Sequence, residues 1–375
     1  MFLVPGEMLD WVQRSKEDSR CGPAERCSIG VYCIKNFERS VALPFIGGDS
    51  SAILRQVPPL QKREGIIVTT RNHIVTRRTF LKTAMAGATL ALSGNPPFLQ
   101  AKEEYDLAVI SGEPAAATKK ALKTLGGISR FVKKGHRVVL KPNMSFARTP
   151  EFGATTHPMV VATVAEACIH AGARQVLILD HTLHRAELCL ERSGIREACK
   201  NISGVHVQAF QERKFFKEIK IPQGKVLDRV EVIQEALESD VLINIPVAKS
   251  HSATGVSLGL KGLMGLIWDR ESFHSRININ QALPDLATLI KPQLTIIDAT
   301  RTLASGGPGG PGDVKKTNLI IAGTDPVAVD SYGVTIVPWY GQNFKGRQVE
   351  HLLIAHQRGL GKIDTDQLKI YKGTA

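Results

Sequence analysis

The side chains of this chain that could do chemistry follow short apolar runs, at the points where strands would end. These residues are Lys141, Asn143, Asp180, His181, Lys249, His251 and Asp298. A buried strand tolerates charged or amide groups only where they have partners, and open parallel sheets bind ligands beyond the carboxyl ends of their strands. The pattern therefore predicts a binding site along one edge of a parallel sheet.

The residue types indicate the chemistry of that site. Lys141 and Lys249 are compact cations that suit a carboxylate or a phosphate. His251 lies beside Lys249, whose charge would lower the histidine pKa and keep the imidazole neutral at pH 7. A neutral imidazole can act as a base or as a metal ligand. The predicted catalytic residues are His251, Lys249, Lys141 and Asp298.

Two glycine-rich stretches add backbone N–H groups that could cradle an anion. One is 255–265, which contains Lys261, and the other is 305–312, for which a flexible loop is the alternative. Neither stretch matches a phosphate-binding loop or a dinucleotide motif, so no nucleotide ligand is indicated. The predicted substrate-binding residues are Asn143, Thr156, Lys261, Gly309 and Asp330.

A metal site is a further hypothesis. Asp180, His181 and His184 offer a carboxylate and two imidazoles, which together could bind a divalent metal. The alternative is a pair of hydrogen-bonded surface histidines. Asp325 precedes Pro326 and is placed to cap the helix that follows.

The region from Tyr105 onward alternates apolar runs with helical patterns. Strands are predicted at 107–110, 137–140, 175–179, 241–245, 294–297 and 318–322, and helices at 118–125, 158–171, 185–200, 232–238, 282–290, 326–336 and 349–358. Apolar strands that alternate with helices favour a parallel sheet with both faces covered. We expect an open, doubly wound, mostly parallel α/β sheet, with a small β-rich excursion or subdomain at 204–229. A TIM barrel would need eight clean βα units.

Composition excludes several classes of protein. The 375 residues carry a formal net charge of +13, with 43 % hydrophobic and 22 % charged residues, which is typical of a globular protein. The basic residues are scattered rather than gathered in a stripe, so no nucleic-acid partner is expected. No apolar run approaches the roughly 18 residues of a transmembrane helix.

Residues 76–82 (TRRTFLK) precede a short Gly/Ala-rich apolar run at 83–92 and a candidate cleavage site near Ala101. This pattern resembles a twin-arginine export signal; the alternative is a chance Arg-Arg before an amphipathic helix. We expect 68–101 to be the signal, 102–375 the working domain, and 1–67 an extension without function, with translation starting near Val68. The signal implies the twin-arginine translocase as partner, and a periplasmic or extracellular location without a membrane span after cleavage.

Several motifs together resemble the DUF362 family, a domain of unknown function, over about residues 105–372. They are Lys141-Pro142-Asn143, Thr155-Thr156-His157-Pro158, Asn244-Ile245-Pro246, Lys249-Ser250-His251, the 259–265 stretch GLKGLMG, Gly307-Pro308-Gly309-Gly310, Asp325-Pro326-Val327-Ala328-Val329-Asp330 and Gly359-Leu360-Gly361. Many members of the family carry a ferredoxin-like iron–sulfur domain. This chain has no four-cysteine run, so no iron–sulfur cluster is expected.

Two functions from different classes are consistent with these residues. The first is an enzyme that acts on a small anionic substrate, by a hydrolytic or metal-assisted reaction. The second is an exported protein that binds an anionic ligand or a metal without turnover. A divalent metal is the cofactor that the residues suggest; twin-arginine export is also compatible with a nickel-pincer or redox cofactor, which no residue supports directly.

Overall fold

The computed structural model describes residues 104–375, which are built around a large β-sheet. The strands are β1 (Leu107–Ser111), β2 (Arg137–Pro142), β3 (Gln175–Asp180), β4 (Val205–Ala209), β5 (Phe216–Lys220), β6 (Arg229–Ile233), β7 (Val241–Ile245), β8 (Val247–His251), β9 (Gly255–Ser257), β10 (Leu294–Leu303), β11 (Val314–Lys315), β12 (Leu319–Gly323) and β13 (Ile370–Thr374). The helices are α1 (Pro114–Thr124), α2 (Pro158–His170), α3 (Ala186–Ser193), α4 (Ile195–Cys199), α5 (Gln234–Leu237), α6 (Gly259–Gly262), α7 (Ser272–Ser275), α8 (Ile279–Leu289), α9 (Pro326–Val334) and α10 (Glu350–Gln357).

The sheet is mostly parallel. Its strand order in the described region is β13-β1-β12-β10-β7-β2-β3-β4. Strands β8 and β11 also pair with β10, and β9 pairs with β8. Along that order β12 runs antiparallel to both of its neighbours, and every other adjacent pair is parallel. The predicted doubly wound, mostly parallel α/β class is confirmed.

Helices cover both faces of the sheet because alternate strand residues point to opposite sides. Ile243 of β7 packs in one apolar cluster with side chains of α1 and α2. Its neighbour Leu242 packs in the other cluster, with side chains of α8, α9 and α10. All five residues of β7 are buried, which explains its apolar character; the one polar residue, Asn244, donates to the Gly259 carbonyl.

The β-rich excursion is present, and it divides into two parts. Strand β4 is the terminal strand of the main sheet, whereas β5 and β6 form a separate antiparallel pair. The helix predicted from residue 232 begins at Gln234, because Val232 and Ile233 belong to β6.

Two further differences between the predicted and observed elements have a clear physical reason. The helix predicted over 185–200 is divided at Gly194, whose φ of 70° is left-handed and ends a helix. The strand predicted to end at Ile297 continues to Leu303, because β8 and β11 hydrogen-bond to its second half. Tertiary pairing thus extends β10 through polar residues that a sequence pattern assigns to a loop.

The predicted extension at 1–67 and the predicted signal at 68–101 lie outside the described residues. Within the part that is described, none of the helices has both the length and the apolar character to cross a membrane.

Candidate anion-binding site

A buried ion pair joins the ends of two neighbouring parallel strands. Lys141 on β2 and Asp180 on β3 are both 0 % exposed, and their Nζ and Oδ1 atoms lie 3.2 Å apart. Lys141 Nζ also donates to the Pro142 carbonyl, and Asp180 Oδ2 accepts from the Met144 N–H and the Ser145 hydroxyl. Burial lowers the pKa of Lys141, while the Asp180 charge acts to raise it.

A cavity of about 270 Å³ opens beside this pair, at the carboxyl edge of the sheet. The titratable side chains that line it are Lys141, Lys249, His251, Lys261, Arg270, Glu271 and His274. Five of the nine predicted catalytic and substrate-binding residues line this one cavity, and they come from three separate chain segments: Lys141, Asn143, Lys249, His251 and Lys261. The wall therefore concentrates positive charge.

Lys249 enters the cavity from β8. Its Nζ donates to the Ala154 carbonyl at 2.8 Å and lies 5.0 Å from the centroid of the Phe146 ring. Burial lowers the pKa of Lys249 to about 7, and the Lys141 charge adds to this effect. The amine can therefore gain or lose a proton near neutral pH.

Lys261 enters from the short helix α6 and is 9 % exposed. Burial, with the charges of Arg270 and Lys141, lowers the pKa of Lys261 to about 7.

Asp330 on α9 holds the backbone that carries Lys261. Its carboxylate accepts from the N–H groups of Gly259 and Leu260 at 2.7 and 2.8 Å. A Cβ on Gly259 would lie 2.7 Å from Asp330 Oδ1, so the close approach requires glycine. Burial raises the pKa of Asp330 to about 7 although these two hydrogen bonds lower it. Asp330 does not line the cavity, and its hydrogen bonds position α6, which carries Lys261.

His251 lines the cavity, and the backbone engages one of its ring nitrogens. Its Nδ1 accepts from the Ala253 N–H at 3.2 Å, which places the hydrogen of the neutral ring on Nε2. Burial, followed by the charge of Lys261, lowers the pKa of His251 to about 2 and keeps the ring neutral. The ring stacks on His274 at 5.5 Å between centroids.

Arg270 and His274 are cavity residues that the sequence patterns missed. Arg270 donates to the carbonyls of His181 and Thr182, so these contacts fix its guanidinium at the wall. Arg270 comes just after the apolar run 263–268. The rule that selected Lys141, a charged residue after an apolar run, could therefore have identified Arg270.

Three predicted residues have structural roles outside the cavity. Asp298 lies inside β10, accepts from the N–H groups of His157 and Thr300, and does not line the cavity. The Thr156 hydroxyl accepts from the Asn143 N–H and donates to the Ile245 carbonyl.

Gly309 packs against an aromatic ring. A Cβ at this position would lie 2.9 Å from the Phe146 ring, so the close contact requires glycine. Its neighbour Pro308 lines the cavity.

The predicted metal ligands are not brought together. His181 Nδ1 bonds to the Ile267 carbonyl and the ring stacks on Trp268, and His184 Nδ1 accepts from the Ala147 N–H. Asp180 is engaged by Lys141. Across residues 104–375, no group of three His, Cys, Asp or Glu side chains could hold a metal ion.

Asp325 has the capping role that its position predicts. Its carboxylate accepts from the N–H groups of Val327 and Ala328, in the first turn of α9.

Comparisons with known proteins identify relatives over much of the chain. A thylakoid-associated protein of Synechocystis, sll1697, is 27 % identical over 227 residues, which cover 59 % of this chain and 68 % of the relative. A crystal structure of a Thermotoga maritima protein is 17 % identical over 50 % of this chain, with a TM-score of 0.33. The lactate racemase apoprotein of Thermoanaerobacterium thermosaccharolyticum is 15 % identical over 52 %, with a TM-score of 0.37. The chain spans about half the length (51 %) of each of these two structures.

The family model for the domain of unknown function DUF362 matches residues 138–335. That range contains all the cationic and imidazole groups of the cavity wall: Lys141, Lys249, His251, Lys261, Arg270 and His274. The chain belongs to the DUF362 family.

Proposed function

We propose that this chain is an enzyme that acts on a small anionic organic molecule in the cavity at the carboxyl edge of the sheet. The observation that carries the proposal is an imbalance of buried charge. The buried Lys141, Lys249 and Lys261 and the partly buried Arg270 line one cavity, and the carboxylate in its wall, Glu271, is exposed. Among the described residues only Asp180 forms an ion pair with any of the four cations.

Such an imbalance favours an anionic ligand. Buried cations without counterions carry a large desolvation cost, which an anion bound beside them would offset. Lys141 already has Asp180 as its partner, so Lys249, Lys261 and Arg270 supply the charge that is left for a ligand. A cavity of about 270 Å³ suits a molecule of metabolite size rather than a polymer.

The cavity also contains groups suited to proton transfer. The Lys249 amine, with a pKa of about 7, can act as a base when it is neutral and as an acid when it is charged. His251, neutral and protonated on Nε2, can donate a hydrogen bond to a carbonyl or hydroxyl oxygen of the ligand. The base in this proposal is therefore Lys249 rather than His251.

The experiment combines ligand identification with turnover. Protein purified through its native route is denatured, the released small molecules are identified by mass spectrometry, and each is returned to fresh protein in D₂O. We expect an anionic metabolite that gains deuterium or is converted, and loss of this change in Lys249→Met but not in Lys315→Met, which alters an exposed lysine. A ligand that is recovered unchanged in every case would instead indicate a binding protein.

We also propose that the chain is exported by the twin-arginine route to the periplasm or the cell exterior. The support is the TRRTFLK motif at 76–82 with the apolar run after it.

A further inference from the structure

Lys261 differs from the other two lysines of the cavity in what its amine contacts. Lys141 Nζ has Asp180 and the Pro142 carbonyl, and Lys249 Nζ has the Ala154 carbonyl. Lys261 Nζ has neither a hydrogen bond nor an ion pair with any residue in the described part of the chain, although the residue is only 9 % exposed. An ammonium in this position would be desolvated and unpaired, which favours the neutral amine.

The surroundings of Lys261 favour the neutral amine further. Asp180 interacts electrostatically with Lys141, Lys249 and Arg270. The charged and titratable side chains that interact electrostatically with Lys261 itself are Lys141, Lys249, Arg270, His251, His274 and His351. None of these six groups is acidic, and the nearby cations repel a further positive charge. A desolvated lysine next to other cations is the arrangement by which proteins activate an amine as a nucleophile.

The amine is also held in place. The carboxylate of Asp330 fixes the first turn of α6 through the N–H groups of Gly259 and Leu260. Lys261 follows directly and lines the cavity that Arg270 and Lys141 share. A carboxylate bound by Arg270 would therefore place the rest of a small molecule within the same space as the amine.

We propose that Lys261 is a catalytic residue that forms an imine with the carbonyl carbon of a 2-oxo acid, whose carboxylate is held by Arg270. This inference rests on the proposed function, since it names the class of anion that the cavity binds. The His251 Nε2–H is available to the carbonyl oxygen as it gains charge.

The reaction balances without an oxidant or a reductant. The nitrogen lone pair of Lys261 attacks the carbonyl carbon, a C–N bond forms, and the carbonyl π pair moves to oxygen. One amine proton is transferred to that oxygen, which gives a carbinolamine. The C–O bond then breaks, the second amine proton leaves with the hydroxyl group as water, and the C=N bond remains.

The test is reductive trapping with pyruvate on the full chain. Protein is incubated with pyruvate and sodium cyanoborohydride, and its intact mass and peptide map are recorded. We expect a mass gain equal to one pyruvic acid less one oxygen atom, located on Lys261. Lys261→Met should lose nearly all of the adduct, and Lys315→Met, which changes an exposed lysine, should retain it.

Parallel titration with oxalate separates this inference from the proposed function, because oxalate is anionic and cannot form an imine. Oxalate binding without a pyruvate adduct, or an adduct spread over other lysines, overturns the role of Lys261 and leaves the anion site standing. Absence of both overturns both proposals. Because the peptide map is made on the unmodified sequence, it decides the question even when Lys261→Met does not fold.

Discussion

The ammonium of Lys141 and the carboxylate of Asp180 lie 3.2 Å apart, at the ends of adjacent parallel strands, with neither side chain exposed. Removing one partner of a buried pair leaves the other charge desolvated, which costs about 3–5 kcal/mol. We therefore expect Asp180→Asn to lower the free energy of unfolding by about that amount, as measured by urea denaturation. Lys141→Met combined with Asp180→Asn should recover part of the loss.

The matched control for this variant is an exposed pair. Glu218 pairs with Arg229 on the β5–β6 hairpin, where both side chains are more than half exposed. Glu218→Gln should leave the urea midpoint almost unchanged, since exposed pairs contribute little. Equal losses in Asp180→Asn and Glu218→Gln would show that burial of the Lys141 pair has no special cost.

Gly265 is required by the same ion pair. A Cβ at this position would lie 2.1 Å from Asp180 Oδ1 and 2.7 Å from Lys141 Nζ, inside van der Waals contact. Gly265→Ala should therefore separate the pair, lower the melting temperature and weaken oxalate binding. Gly262→Ala is the control from the same stretch, because its Cβ would meet Pro246 at an ordinary 3.4 Å. Equal tolerance of both alanines would contradict the close packing described here.

Oxalate binding should depend on pH in a defined direction. Lys249 and Lys261 have pKa values lowered to about 7, so each loses its charge as the pH rises above that value. An anion binds the charged form, so affinity should fall above pH 7 by about tenfold per pH unit for each lysine that must be protonated. Calorimetry between pH 6 and 9, with roughly constant ionic strength, measures this slope. A flat profile would mean that neither lysine titrates in the cavity.

Imine formation should depend on pH in the opposite direction, because it needs the uncharged Lys261 amine. The yield of the pyruvate adduct should therefore rise over the range in which oxalate affinity falls. A rise in adduct yield only near pH 10 would contradict this prediction. It would mean that the Lys261 amine has the ordinary pKa of an unburied lysine, about 10.4.

The proposed export signal has its own test. Arg77→Lys with Arg78→Lys keeps the positive charge of the motif but removes the paired arginines. We expect the doubly changed precursor to accumulate in the cytoplasm, whereas the unchanged chain is recovered in the periplasmic or culture fraction. Equal fractionation of the two, measured by immunoblotting, would exclude the twin-arginine route.

Much of the cavity could be predicted from sequence because its residues occupy strand ends. Lys141, Lys249 and His251 follow apolar runs, and the parallel topology brings such positions to one edge. Asp298 also follows an apolar run, but it does not line the cavity, since β8 and β11 extend β10 beyond it. Strand length in this case depends on partners that are distant in sequence.

The role of an individual side chain was harder to predict than its position. His251 lines the cavity, yet the N–H of Ala253 occupies the nitrogen that a base would need. Asp330 is buried as expected, but it contacts backbone N–H groups rather than the cavity. Such contacts depend on three-dimensional detail that residue spacing does not contain.

The cluster of cations that lines the cavity should bind a small anion. Isothermal titration calorimetry with oxalate at pH 6.5, on the unchanged chain and on Lys249→Met, tests this claim most directly. We expect one oxalate per chain, with affinity reduced at least tenfold in Lys249→Met while the melting temperature is retained or raised, because the variant removes a buried cation. No saturable binding to the unchanged chain, or equal affinity in the variant, would contradict it.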